Sequence, residues 1–132
     1  MYSQQFQSAS ASKEADFEMV AFGAASDGTN DYVLLQMADE FDDQDRSAGM
    51  DGIYLEINDQ AHSDYKAVSR VEVFLNVVII HFASEQLDLP HTFDPLCIRL
   101  DGGIHFGADV REMLVSMAHR AEIGIESTPI VY

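Results

Sequence analysis

The sequence predicts an α+β fold, a mainly antiparallel sheet with one C-terminal amphipathic helix packed on a face. Three observations carry that expectation. Six runs between Phe17 and Leu100 are strand-like, with apolar and polar residues alternating in most of them. After Gly103 the apolar period lengthens from two residues to about 3.6. No helical pattern separates the strands, so parallel crossovers are not expected.

The elements follow in order. Residues 1–15, rich in Ser, Gln and Ala, are expected to be a flexible segment, and residues 16–132 a single domain. Phe17 to Ala24 is the first ordered run, apolar at both odd and even positions. Ser26-Asp27-Gly28-Thr29-Asn30 is a turn cluster, and Tyr32 to Met37 is the next strand, at hairpin distance. From Asp39 to Asp51 the composition changes to six acids and one arginine. That stretch reads as a solvated loop or a short irregular turn of helix. A strand follows, with Ile53, Leu55 and Ile57 on one face and Tyr54, Glu56 and Asn58 on the other.

Residues 59–67 read as a turn region. Val71, Val73 and Leu75 alternate with Arg70, Glu72 and Phe74, and Val78, Ile80 and Phe82 follow across Asn76-Val77, a hairpin whose turn asparagine would tolerate the left-handed conformation. Pro90 and Pro95 bracket a connection, and Leu96 to Leu100 is the last strand before Asp101-Gly102-Gly103. In the helix, predicted over 106–122, Phe106, Val110, Met113, Leu114, Met117 and Ala121 form the apolar stripe. Asp109 is a candidate N-cap, with a competing start near His105, and Gly124 is a candidate stop. The tail 125–132 adds an edge segment or hangs free.

Charge bounds the partners. The chain has 132 residues, 23 acidic and 7 basic, for a formal net charge of −16. Such a surface repels phosphate backbones and anionic lipid, so neither nucleic acid nor membrane is an expected partner. Cations or a basic protein surface are. The single cysteine, Cys97, lies between Leu96 and Ile98 and reads as a buried thiol in a reducing compartment. The N-terminal residues lack the charge and apolar run of a signal peptide, and no run approaches a membrane span. A cytoplasmic location is expected.

Catalytic and metal-binding signatures fail on spacing. A calcium loop starting at Asp45 would put Met50, and one starting at Asp27 would put Tyr32, at the obligatory glycine. His62, His81, His91, His105 and His119 form no zinc-ligand pair. Cys97 has no neighbour that lowers a thiol pKa, and Gly102-Gly103 lacks the lysine and hydroxyl of a phosphate loop. Glu56 is the better acid candidate but stands at a solvent-facing strand position. The expectation is a non-enzyme that needs no cofactor and no metal.

Residues 31–60 carry a further signal. Asp31-Tyr32-Val33-Leu34-Leu35-Gln36, the acidic stretch ending Asp43-Gln44-Asp45, and Gly49-Met50-Asp51-Gly52-Ile53-Tyr54-Leu55-Glu56-Ile57-Asn58-Asp59-Gln60 resemble the bacterial immunity protein ten family of polymorphic toxin systems. Ser63, Tyr65 and the strand with Glu72 fit the pattern more loosely. Two places depart from it. Ser63-Asp64-Tyr65-Lys66-Ala67 stands where the family pattern reads small-Gly-Tyr-Gly-Gly, and Met37 stands where a basic residue follows Gln36. The resemblance implies a small inhibitor that binds and neutralises a cognate toxin domain without catalysis. The alternative is an acidic binding or adaptor module unrelated to toxins.

Chemistry, rather than the resemblance, supplies the candidate contact residues. Five carboxylates, Asp39, Glu40, Asp42, Asp43 and Asp45, fall within seven positions and repel one another, which a cationic partner would relieve. They are the expected steering patch. The adjoining strand face, Tyr54, Glu56 and Asn58, is expected to supply directed contacts.

Overall fold

The computed structural model describes residues 2–25, 31–83 and 94–128. The expected turn cluster at 26–30, His91, Pro90 and the last residues of the tail lie outside the described residues. Among the described residues, nine strands form one sheet: β1 (Tyr2–Lys13), β2 (Phe17–Ala25), β3 (Val33–Ala38), β4 (Tyr54–Ile57), β5 (Asp59–Tyr65), β6 (Val68–Val73), β7 (Val78–Phe82), β8 (Leu96–Leu100) and β9 (Gly124–Ser127). Two α-helices, α1 (Asp43–Ser47) and α2 (Ala108–Arg120), and a one-turn 3-10 helix at Asp101–Gly103 accompany the sheet, and the fold is α+β as expected.

The strand order is β5-β4-β3-β2-β1-β8-β7-β6-β9. All neighbours pair antiparallel except β1 with β8 and β6 with β9, which are parallel. This order forces curvature. β5 and β6 stand seven places apart in the sheet, yet only Lys66 and Ala67 join them. A flat sheet would separate them by about 34 Å, while two linking residues reach only about 11 Å. The sheet therefore curls on itself, and the Lys66 N–H, donating to the Ile53 carbonyl at 3.0 Å, extends the β4–β5 ladder up to the junction.

Period-two burial builds the inner face. Val33, Leu35 and Met37 of β3, Leu55 and Ile57 of β4, and Val71 and Val73 of β6 are buried, while their alternating neighbours are partly exposed or exposed. Helix α2 lays Val110, Leu114 and Met117 into this core. Phe106 meets Phe22 edge to face, with ring centroids 5.7 Å apart, and Phe22 meets Phe6 at 6.3 Å.

Several expectations need correction. The N-terminal segment 1–15 is not a flexible arm: β1 lies in mid-sheet, bonded by β2 on one side and β8 on the other. Its polar composition hid it: Phe6, Ala9 and Ala11 pack toward the core from a strand otherwise rich in Ser and Gln. Small side chains suit a strand against which α2 also packs. Residues 59–65, expected as a turn, form β5, the hairpin partner of β4. The β6–β7 turn centres on Leu75-Asn76, one residue earlier than expected, since the Phe74 N–H donates to the Val77 carbonyl. Leu75 is consequently exposed rather than core, and Asn76 is not among the residues with positive φ.

Both ends of α2 differ from the sequence reading. The N-cap is Gly107, not Asp109. A Cβ at residue 107 would stand 2.5 Å from Asp109 Oδ1, so the missing side chain leaves room for that carboxylate in the first turn. At the other end Glu122, not Gly124, takes the left-handed position, at φ 58°. The Glu122 N–H donates to His119 and the Ile123 N–H to Ala118, each at 3.1 Å, which closes a Schellman motif. Gly124 instead opens β9, beside the Arg70 side chain.

Candidate functional site

The acidic stretch folds by using its own carboxylates. Asp42 is the N-cap of α1: its Oδ1 accepts from the Asp45 N–H at 2.7 Å, and Asp45 Oδ2 accepts from the Asp42 N–H at 3.2 Å. This reciprocal capping box stabilises a five-residue helix that has no buried residue of its own. Asp39 is tied to the end of β1 by an ion pair with Lys13, and its N–H donates to the Asp16 carbonyl at 2.9 Å. Asp43 is fully exposed, 3.5 Å from Arg46, and Glu40 is also exposed. The five predicted steering residues are thus together at one place, though Asp39, Asp42 and Asp45 also serve the local fold.

Beside α1 the sheet presents the faces of β4 and β5 that alternate with the core. Tyr54 and Tyr65 are directly opposed in the register, with ring centroids 5.1 Å apart and planes at 49°. Tyr54 donates its hydroxyl to Glu56 Oε1 at 2.5 Å, and Tyr32 donates to Glu56 Oε2. One carboxylate therefore orients two phenols. Burial, and next the hydrogen bond to Glu56, hold the Tyr54 phenol above its ordinary pKa, which keeps it a neutral donor.

Asn58 belongs to a different part of the architecture. It turns the β4–β5 hairpin at φ 62°, and its Oδ1 accepts from the Tyr32 N–H at 3.0 Å and from Gln4 Nε2 at 3.2 Å. Its amide is spent on joining β1, β3 and β4 at one corner. It is a structural residue rather than a member of the Tyr54 and Glu56 face.

A hollow of about 190 Å³ lies where α1 meets this face. Asp16 lines it from the β1–β2 turn and Phe17 from the start of β2, Asp45 and Met50 from the acidic stretch, and Tyr54 and Tyr65 from β4 and β5. Of the predicted contact residues only Asp45 and Tyr54 reach it, and Glu56 stands behind as the anchor of the Tyr54 hydroxyl. Sequence reasoning missed Asp16, Phe17, Met50 and Tyr65. For Tyr65 the signal was incomplete: Asn58-Asp59 is turn-forming chemistry, but a regular hairpin there would pair Tyr54 with residue 62 or 63, and the register shift between Glu56 and Ile57 brings Tyr65 opposite instead.

A second hollow, about 530 Å³, lies on the other side of the acidic stretch. Phe41, Ile53, Val68 and Ile123 give it apolar walls, and Arg46, Lys66 and Arg120 line it. Each cation has an acid: Arg120 binds Glu18 and also donates to the Ala38 carbonyl at 3.2 Å, Lys66 is 2.6 Å from Asp51, and Arg46 faces Asp43. Among the described residues no three His, Cys, Asp or Glu side chains converge as a metal site requires. No helix among them is long and apolar enough to cross a membrane.

With this geometry in place, comparison with known families decides the lineage. The family model described as Immunity protein 10 matches residues 5–105, more than three-quarters of the chain. The chain belongs to the immunity protein 10 family. The match starts within β1 and ends just before α2, so it takes in the central strand that composition concealed as well as the acidic stretch and the tyrosine hairpin. No curated protein and no solved structure matches the chain. Family membership thus brings a toxin-immunity setting, and the surface chemistry must be read from this chain.

Proposed function

We propose that this protein is a cytoplasmic immunity protein that binds a cognate toxin domain and neutralises it by occlusion, without catalysis. The family match over residues 5–105 carries this reading. The surface that best supports it is the corner where the acidic stretch adjoins the Tyr54–Tyr65 hairpin. It joins two functions that protein inhibitors need. Exposed carboxylates such as Glu40 and Asp43 raise the encounter rate with a basic partner, and a rigid aromatic pair supplies contact area at low entropic cost. Tyr54 is pre-organised by Glu56, so little conformational freedom is lost when a partner lands on it.

A basic toxin surface is the complement of a chain at −16. Co-expression with the toxin encoded by the adjacent gene tests the proposal. The chain should restore growth to cells making that toxin and co-purify with it at a fixed stoichiometry. Growth arrest despite soluble expression of the chain would refute the assignment.

A further inference from the structure

We propose that the hollow between the Tyr54–Tyr65 pair and α1 is a socket for one arginine side chain of the partner, with the guanidinium set against the tyrosine faces and between Asp16 and Asp45. The inference rests on the toxin-binding reading for the source of the arginine, and on the hollow itself for the chemistry.

Size, walls and charge all point to the same occupant. A volume of about 190 Å³ exceeds the roughly 150 Å³ that holds a benzene ring, so a planar guanidinium and part of its stem have room. Phe17 and Met50 supply apolar surface for the methylene stem, as long cationic side chains prefer. Tyr54 and Tyr65 stand 5.1 Å apart at a tilt, which leaves ring surface on the hollow for a cation to cover. Asp16 and Asp45 arrive from two unconnected elements, and among the described residues neither is in an ion pair. Asp45 contributes Oδ2 to its capping bond, leaving Oδ1 to accept from an incoming N–H.

A neutral or anionic occupant would leave both of these lining carboxylates without a counter-charge. Lysine fits less well than arginine: its compact ammonium is strongly hydrated, while guanidinium is planar, weakly hydrated and stacks on aromatic faces. Glu56 is not a ligand in this arrangement. It is a positioning residue that fixes the Tyr54 ring through the phenol.

The hollow and the toxin-binding reading are tested separately. For the hollow, the full chain is titrated with Nα-acetyl-arginine methylamide at constant ionic strength while the tyrosine ring signals are followed by NMR. The neutral citrulline and the lysine analogues serve as comparisons. Saturable shifts confined to Tyr54 and Tyr65, weakened at least fivefold by Asp16→Asn and absent with citrulline, are expected. Equal shifts with citrulline, or shifts elsewhere only, overturn the socket; equal shifts with lysine overturn the choice of guanidinium.

For the partner, affinity for the adjacent-gene toxin is measured for the natural chain, Tyr65→Leu and Asp16→Asn. Asp16 has an exposed side chain, so that variant keeps the test usable if Tyr65→Leu does not fold. At least tenfold weaker binding by Tyr65→Leu, and a clear loss with Asp16→Asn, are expected. If the natural chain binds the toxin and folded variants bind within twofold of it, the socket is wrong and the immunity reading stands. If the natural chain does not bind while the arginine titration succeeds, the immunity reading is wrong and the socket stands.

Discussion

The acidic stretch divides two hollows of opposite character, and consecutive residues separate them: Asp45 faces one and Arg46 the other. In the smaller, carboxylates and tyrosines gather and no cation lines the wall. In the larger, three of the chain's seven cations gather, each beside its own acid. Net charge alone would assign both the same preference. Pairing is what distinguishes them. The cations that line the larger hollow are already paired and hold the fold together, although Glu122 also stands on its wall; in the smaller hollow, carboxylates with no cation among the lining residues gain from a cationic partner.

The sharpest way to break this comparison is through the floor of the larger hollow. Ile53 is only 2% exposed and sits between the acidic stretch and β4. Ile53→Ala should cost about 2–4 kcal/mol in a denaturant melt, through lost burial and the cavity left behind. If the larger hollow were instead a binding site with a loose floor, the loss would stay below about 1 kcal/mol. Tyr65→Leu, on the other hollow, should change stability far less than Ile53→Ala does.

The next effect concerns Arg120, which bridges α2 to Glu18 of β2 and to the last carbonyl of β3. Arg120→Ala leaves a half-buried Glu18 without its cation and should destabilise the fold by about 1–3 kcal/mol. A double-mutant cycle with Glu18→Gln isolates the pair. Coupling near zero would mean that this cation is available to a partner after all, and the contrast between the hollows would fail.

A smaller and kinetic effect belongs to the exposed acids. The combined variant Glu40→Gln, Asp42→Asn and Asp43→Asn removes three charges while asparagine still caps α1. Association with the toxin should slow several-fold at low ionic strength and much less in high salt, where screening has already shortened the field. Stability should move by less than about 0.5 kcal/mol. An association rate unchanged at low salt would remove steering from the role of this stretch.

These contrasts also mark what the sequence could and could not disclose. Alternation in Ile53, Leu55 and Ile57 exposed both faces of β4, and the charge run located the acidic corner, because both signals are local. β1 escaped because its position in mid-sheet is secured by hydrogen bonds to β2 and β8, which leave no apolar alternation behind. Asn58 was assigned to the outer face by parity. The hairpin turns at that residue, and its left-handed backbone breaks the parity rule. Asp16, Tyr65 and Asp45 are far apart in the chain, and only the side-by-side pairing of β5, β4, β3 and β2 and the return of the acidic stretch bring them to one hollow.

The last test asks why the larger hollow keeps a strained corner. Lys66 has φ 57°, in the left-handed region, and stands where the family pattern carries glycine. Its side chain lies over Gly52, where an added Cβ would meet Lys66 Cγ at 2.8 Å, and its ammonium reaches Asp51. Lys66→Gly should relieve backbone strain of about 1 kcal/mol while losing the ion pair. The two effects separate with pH. The hydrogen bond from Lys66 holds the Asp51 carboxyl below its ordinary pKa of 3.8. A depressed folded-state pKa contributes stability above the unfolded value, and that contribution disappears as pH falls through the folded value. Lys66→Gly removes the largest cause of that depression, so acid removes nothing further from this pair, while the backbone hydrogen bond and Arg46 act on Asp51 in both chains. The variant should therefore gain on the natural chain as pH falls from about 5 toward 2, ending more stable by roughly the strain relieved. Lys66→Met provides the control, since it loses the charge and retains the strained backbone. It should be the less stable at neutral pH and converge with the natural chain in acid. A stability difference for Lys66→Gly that is flat across that range would show that the Asp51 pair contributes nothing, and the larger hollow would lose one of its matched charges.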